Sequence, residues 1–290
     1  MAGANKGNAA GFAYFQIYTK NTTGEAIGQV AQSTGLAQNT TSSALLIGGG
    51  TSTDFSAREP TVVEFRDADA IAGKMGFGGG DIQPFNIDVE EINATAAALF
   101  TQSNVDTTTN TSWSITGANS KQTNLEDVGV ILSQRFQSRD SATAGTNQYV
   151  HHILPACDVR VLPGGLSYQA TSSWQFNITP SFASKFPWGE AFGATQAWTD
   201  NETDYFWLTA DNPISLTAFT GDGAQATFIA GYRPTSAVVT VNATPNFYAE
   251  NGTAEALTSI SVTTGVATPD AAPDADKRCV LVYETIFTAI

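Results

Sequence analysis

From residue 168 to residue 179 the chain alternates between two chemical faces with no charged residue on either. Tyr168, Ala170, Ser172, Trp174, Phe176 and Ile178 share one side of an extended strand, and Gln169, Thr171, Ser173, Gln175, Asn177 and Thr179 share the other. A half-exposed strand usually carries Lys, Glu or Arg on its wet face, so an uncharged polar ladder predicts a surface that meets protein or confined water. Those six polar residues are the candidate assembly or lumen residues. The competing reading is a plain strand of a soluble β-sandwich.

The same alternation, or a short apolar run bounded by turn residues, predicts strands at residues 12–18, 61–65, 128–132, 149–154 and 159–162. Further strands are expected at 205–208, 214–216, 226–229, 237–241, 259–262 and 279–287. One segment has helical spacing: Asp88 caps, Glu91 stands at the third position, and Val89, Ile92, Ala96, Leu99 and Phe100 recur on one face, predicting an amphipathic helix over 88–100. Residues 67–73 read as a helical or turn segment. The glycine-rich tract 42–54 reads as a mobile loop around a short apolar anchor. The expected fold is mainly β, with antiparallel sheets of the sandwich or barrel type and one helix. Residues 1–204 form a barrel or sandwich domain with a loop-rich N-terminal arm, and 205–290 a β-rich C-terminal region or second β-sandwich, with the break near 188–210.

Composition narrows the function. Only 14% of the residues are charged, while hydrophobic content is 42%, enough for a globular core. The formal net charge is −14, and the 13 basic residues are scattered, so the positive footprint of a nucleic-acid binder is missing. A negative surface suits a conduit through which DNA passes without sticking. No apolar segment reaches the length of a membrane span, and the N-terminus lacks a signal-peptide core, so synthesis in a cytoplasm without membrane attachment is expected. Asn-x-Ser/Thr triplets then reflect composition rather than glycosylation.

Candidates for chemistry are few. His151 and His152 are the only histidines, and as strand neighbours they point to opposite faces, so they cannot chelate one metal together. No Gly-x-Ser-x-Gly elbow supplies a nucleophile. Residues 76–81, Gly-Phe-Gly-Gly-Gly-Asp, lack the Lys-Ser/Thr ending of a phosphate loop and read as a flexible loop. The acidic turns at 200–204 and 270–276 lack a calcium-loop pattern. Cys157 and Cys279 form neither a metal knuckle nor a redox motif. The expectation is a protein with no catalytic residue, no metal and no cofactor.

The order of elements carries a resemblance. A Gly/Thr-rich arm, a strand through Glu64-Phe-Arg-Asp67, a helix at 88–100, Tyr149-Val-His-His-Ile-Leu-Pro155, the ladder ending Ser173-Trp-Gln-Phe-Asn-Ile-Thr-Pro180 and the late strand Val280-Leu-Val-Tyr-Glu284 together resemble the major tail tube proteins of long-tailed bacteriophages. It is one of layout, over about two-thirds of the chain. It implies a virion protein made in the host cytoplasm, whose copies form rings, usually hexamers, that join their sheets and stack into a hollow tube. Its partners are then itself and other virion proteins, with DNA as passing cargo. The helix would pack outside its own sheet, and the arm and the loop at 42–54 would reach the next subunit or ring. Rival readings are a head decoration, tail terminator or capsid protein, or a carbohydrate-binding or adhesive β-sandwich stacking sugars on Trp113, Trp174, Trp188, Trp198 or Trp207.

Overall fold

The computed structural model describes residues 7–19, 41–54, 61–67, 70–77, 84–92, 104–105, 113–114, 124–138, 147–162, 174–183, 187–188, 191–192, 196–197, 205–209, 212–221, 223–224, 227–237, 246–248, 254–255, 257–275 and 277–288. The described elements are all strands. In chain order they begin with β1 (Gly7–Thr19), β2 (Thr41–Ser43), β3 (Leu45–Asp54), β4 (Thr61–Asp67), β5 (Ala70–Phe77), β6 (Phe85–Ile92), β7 (Asn104–Val105) and β8 (Trp113–Ser114). Next come β9 (Asn124–Ser138), β10 (Asn147–Leu162), β11 (Trp174–Pro180), β12 (Ala191–Phe192), β13 (Gln196–Ala197) and β14 (Tyr205–Thr209). The rest are β15 (Ile214–Thr220), β16 (Phe228–Ile229), β17 (Asn246–Tyr248), β18 (Ala254–Glu255), β19 (Leu257–Ile260), β20 (Val266–Pro269) and β21 (Arg278–Glu284).

Six of these strands curl into one antiparallel sheet whose ends meet. The order β11-β6-β3-β1-β9-β10 returns to its start because residues 157–162 of β10 pair with β11, while the earlier half of β10 carries β14 on the same edge. Alternation explains what fills the curl. Phe15 and Ile17, Ile47, Phe85, Ile87 and Val89, Val130 and Leu132, Leu154 and Val159, and Phe176 and Ile178 come from all six strands and form one buried cluster. Closure of this kind removes sheet edges that would otherwise template aggregation.

Outside this barrel lies a second sheet, β18-β17-β21-β15-β2, and beyond it a third, β16-β20-β19. The middle sheet is covered on both faces, so β15 and β21 are buried along nearly their whole length; β21 reads as a near-continuous apolar run, whereas β15 buries two polar residues, Ser215 and Thr217, among its apolar ones. Ile214, Leu216, Ala218, Val280 and Val282 pack toward the barrel against Tyr18, Ile131, Ile153 and Trp188. Phe219, Cys279, Leu281 and Tyr283 pack the other way, against Phe228, Leu257, Ile260 and Ala267. Gln16, fully buried on β1, donates its amide to the Ile214 carbonyl at 2.8 Å and so ties barrel to middle sheet. Tyr18 closes the seam over Gly129, its register partner on β9, where any Cβ would overlap the ring.

Three expectations are corrected. Residues 85–92, which include the first turn of the expected helix, are strand β6, because Phe85, Ile87 and Val89 enter the barrel core and both edges of β6 find partners, β3 and β11. Tertiary pairing here overrides a local capping pattern; residues 93–100 lie outside the described residues. The tract 42–54 is β2 followed by β3, with Gly48, Gly49 and Gly50 inside the ladder, so it is built into the molecule and is not a loop reaching outward. Of residues 67–73, Asp67 ends β4 and residues 70–73 begin β5, which pairs with β4, so the helical alternative for this segment gives way to strand pairing.

Candidate assembly face

The outward side of β6, β11 and β10 holds the ladder. On β11 the burial pattern alternates, with Phe176 and Ile178 buried and Gln175, Asn177 and Thr179 half-buried on the opposite face. Pairing extends that face across the neighbours. Asn177 lies opposite Asn86 on one side and Arg160 on the other; Gln175 lies opposite Asp88, and Thr179 opposite Asp158. Asp158 and Arg160 are exposed. The amides spend their donors sideways: Asn177 Nδ2 donates to Asn86 Oδ1 at 2.8 Å, and Gln175 Nε2 to Asp88 Oδ1 at 3.3 Å. Such cross-strand rungs order the side chains and leave a surface rich in acceptor oxygens.

Of the six residues expected at this face, Gln175, Asn177 and Thr179 are brought together, and Gln169, Thr171 and Ser173 lie outside the described residues. Sequence reasoning missed Asn86 and Asp88. Their signal was present, since Phe85-Asn-Ile-Asp-Val89 alternates apolar and polar, but it was outweighed by the capping pattern around Asp88. Arg160 lies in the run 159–162, read only as a strand, and Asp158 stands just before it.

The histidines stand on opposite faces of β10, both buried. His151 Nδ1 is 2.9 Å from Ser133 Oγ, and burial lowers its imidazole to about 3. His152 stacks on Phe85, ring centroids 6.0 Å apart, on the barrel side. The two cysteines are buried in separate clusters, Cys157 in the barrel and Cys279 between the outer sheets, and so are not joined to each other. Among the described residues no three His, Cys, Asp or Glu side chains converge in a metal-binding group. Trp188 is fully buried, and Trp174 packs against the barrel core, so neither forms an open platform for a sugar ring. Among the described residues β14 has a strand partner on one side only, and its sequence, Tyr-Phe-Trp-Leu-Thr, has no charge or proline to guard the other edge.

Barrel, outer sheets and polar face define a layered antiparallel β protein whose described elements are all strands. No protein-family model matches the chain, and no curated protein matches it either.

Proposed function

We propose that the chain is a virion structural protein, the subunit of a tail tube, whose copies join into rings, usually of six, that stack into a hollow conduit for genome passage. The observation that carries this reading is the face built from Asn86, Asp88, Gln175, Asn177, Thr179, Asp158 and Arg160. Its side-chain amides are held by cross-strand bonds, Asn177 to Asn86 and Gln175 to the Asp88 carboxylate, and its charged members, Asp88, Asp158 and Arg160, flank the uncharged residues of β11. The uncharged edge of β14 offers a second copy a strand to pair with. A net charge of −14 supports passage of DNA without retention. Within the same class, a head decoration, tail terminator or capsid role uses the same face. The sugar-binding alternative loses support from the burial of Trp188.

Negative-stain electron microscopy of the purified protein at rising concentration and salt tests the proposal, with rings or tubes around a hollow centre as the expected result. Gln175→Lys and Asn177→Lys place a cation on the outward face, so each variant is expected to keep the wild-type circular dichroism spectrum while forming severalfold fewer rings. Wild-type protein that stays monomeric throughout, or variants that assemble as well as wild type, would count against it.

A further inference from the structure

Near the C-terminal end of the chain, one row of residues crosses the outward side of the barrel in register. Tyr14 on β1 faces Ser133 on β9, and Ser133 faces His151 on β10. Ser133 and His151 are fully buried and hydrogen-bonded, although they lie on the outward side of the sheet. Tyr149 stacks on the His151 ring with centroids 6.4 Å apart and planes within 10°. Tyr14 in turn lies 6.4 Å from Tyr149. Both tyrosines are only half-buried, so the rings beside the Ser133–His151 pair themselves have an open side.

Phe287 lies against one of them. Its ring centroid is 4.7 Å from that of Tyr14 and 5.2 Å from that of Tyr232, which it meets edge-on. Tyr232 belongs to the C-terminal part of the fold, yet its hydroxyl oxygen accepts the Leu46 N–H of β3 at 3.0 Å. Phe287 therefore sits where barrel and C-terminal layers meet. It is also the one non-glycine among the described residues with a left-handed backbone, φ 60°. A bulky residue in that region is strained and stays there only when its surroundings hold it. Three hydrogen bonds do so: Phe287 N–H to Thr285 Oγ1, the Thr285 hydroxyl to the Arg233 carbonyl, and the Arg233 N–H to the Thr288 carbonyl, each 2.9 Å. The same turn leaves the neighbouring Ile286 61% exposed, so the backbone is bent to bring Phe287 inward at the expense of its neighbour.

We infer that residues 286–288, hinged on the fully buried Thr285, form a lid whose Phe287 closes over Tyr14 and, through it, over Tyr149, and so keeps water from the Ser133–His151 pair. The lid opens without opening the barrel, because its contacts are peripheral to the barrel's apolar cluster. His152, on the barrel side beside Phe85, is unaffected by it.

Deuterium exchange at the imidazole C2 position, resolved residue by residue by fragment mass spectrometry, reads the two histidines separately. Phe287→Gly removes the ring and relieves the backbone, so the variant folds; exchange at His151 is expected to rise about tenfold, with His152 unchanged. Phe287→Ala should act in the same direction, and Ile286→Ala, which alters an exposed neighbour, should match wild type. A parallel rise at both histidines would make Phe287 an ordinary contributor to global stability and overturn the lid. Unchanged exchange at His151 in both Phe287 variants would overturn it equally.

Discussion

His151 shows what a single buried group costs. Its imidazole titrates near 3 because burial penalises the cation, against 6.5 for the unfolded chain. Above pH 6.5 both states are neutral and the residue contributes nothing to pH dependence. As pH falls from 6.5 toward about 3 the unfolded chain binds a proton that the folded chain refuses, and stability drops by about 1.4 kcal/mol for each pH unit. Below that window the folded state is protonated too and the loss levels off. Urea unfolding midpoints of wild type and His151→Gln at pH 7, 5 and 4 check this. The difference between the two proteins should shrink or reverse with acid, and parallel curves would show that the group is reached by water in the folded state. Nothing local to residues 151–152 signals this depth, since a His-His pair on a strand dictates only that one member faces each way.

At the level of elements, the ladder strand and the last strand were legible because their signals are local: strict alternation in β11 and a β-branched run in β21. The misread elements share a cause. Glycines at 48–50 signal a loop when read alone, and Asp88 with Glu91 signals a helix cap, yet both segments are held as strands by partners distant in sequence, β3 by β1 and β6, and β6 by β3 and β11. Three of the seven residues of the candidate face were visible for the same reason: Gln175, Asn177 and Thr179 belong to the alternating strand, whereas Asn86, Asp88, Asp158 and Arg160 join them only through cross-strand register. Deleting residues 42–54 therefore removes a barrel strand and the edge of the middle sheet. The expected product is insoluble or lacks the strand signal in circular dichroism; a soluble deletion protein with wild-type β content would show that the barrel closes without β3.

For the molecule as a whole, the three layers are tied at several points. The chain runs from β2 in the middle sheet directly through Ala44, whose N–H is bonded to the Leu216 carbonyl at 2.9 Å, into β3 in the barrel. It passes between the same layers again from β14 to β15. A fragment of residues 1–204 would lose the sheet that covers Tyr18, Ile131, Ile153 and Trp188. It is expected to aggregate, or to unfold at a midpoint far below that of the whole chain, whereas a cooperative transition near the full-length midpoint would establish the barrel as self-sufficient.

The pairing of β2 with β15 also sets a clock. Thr41 finds its register partner in Phe219, so a strand made early waits while the ribosome adds the intervening chain, on the order of ten seconds or more at ordinary elongation rates. The middle sheet then still needs β21, made last of its strands. The native form is thus locked only once β21 has been made, and until then Tyr18, Ile131 and Ile153 on the outer side of the barrel have to remain soluble without the sheet that covers them.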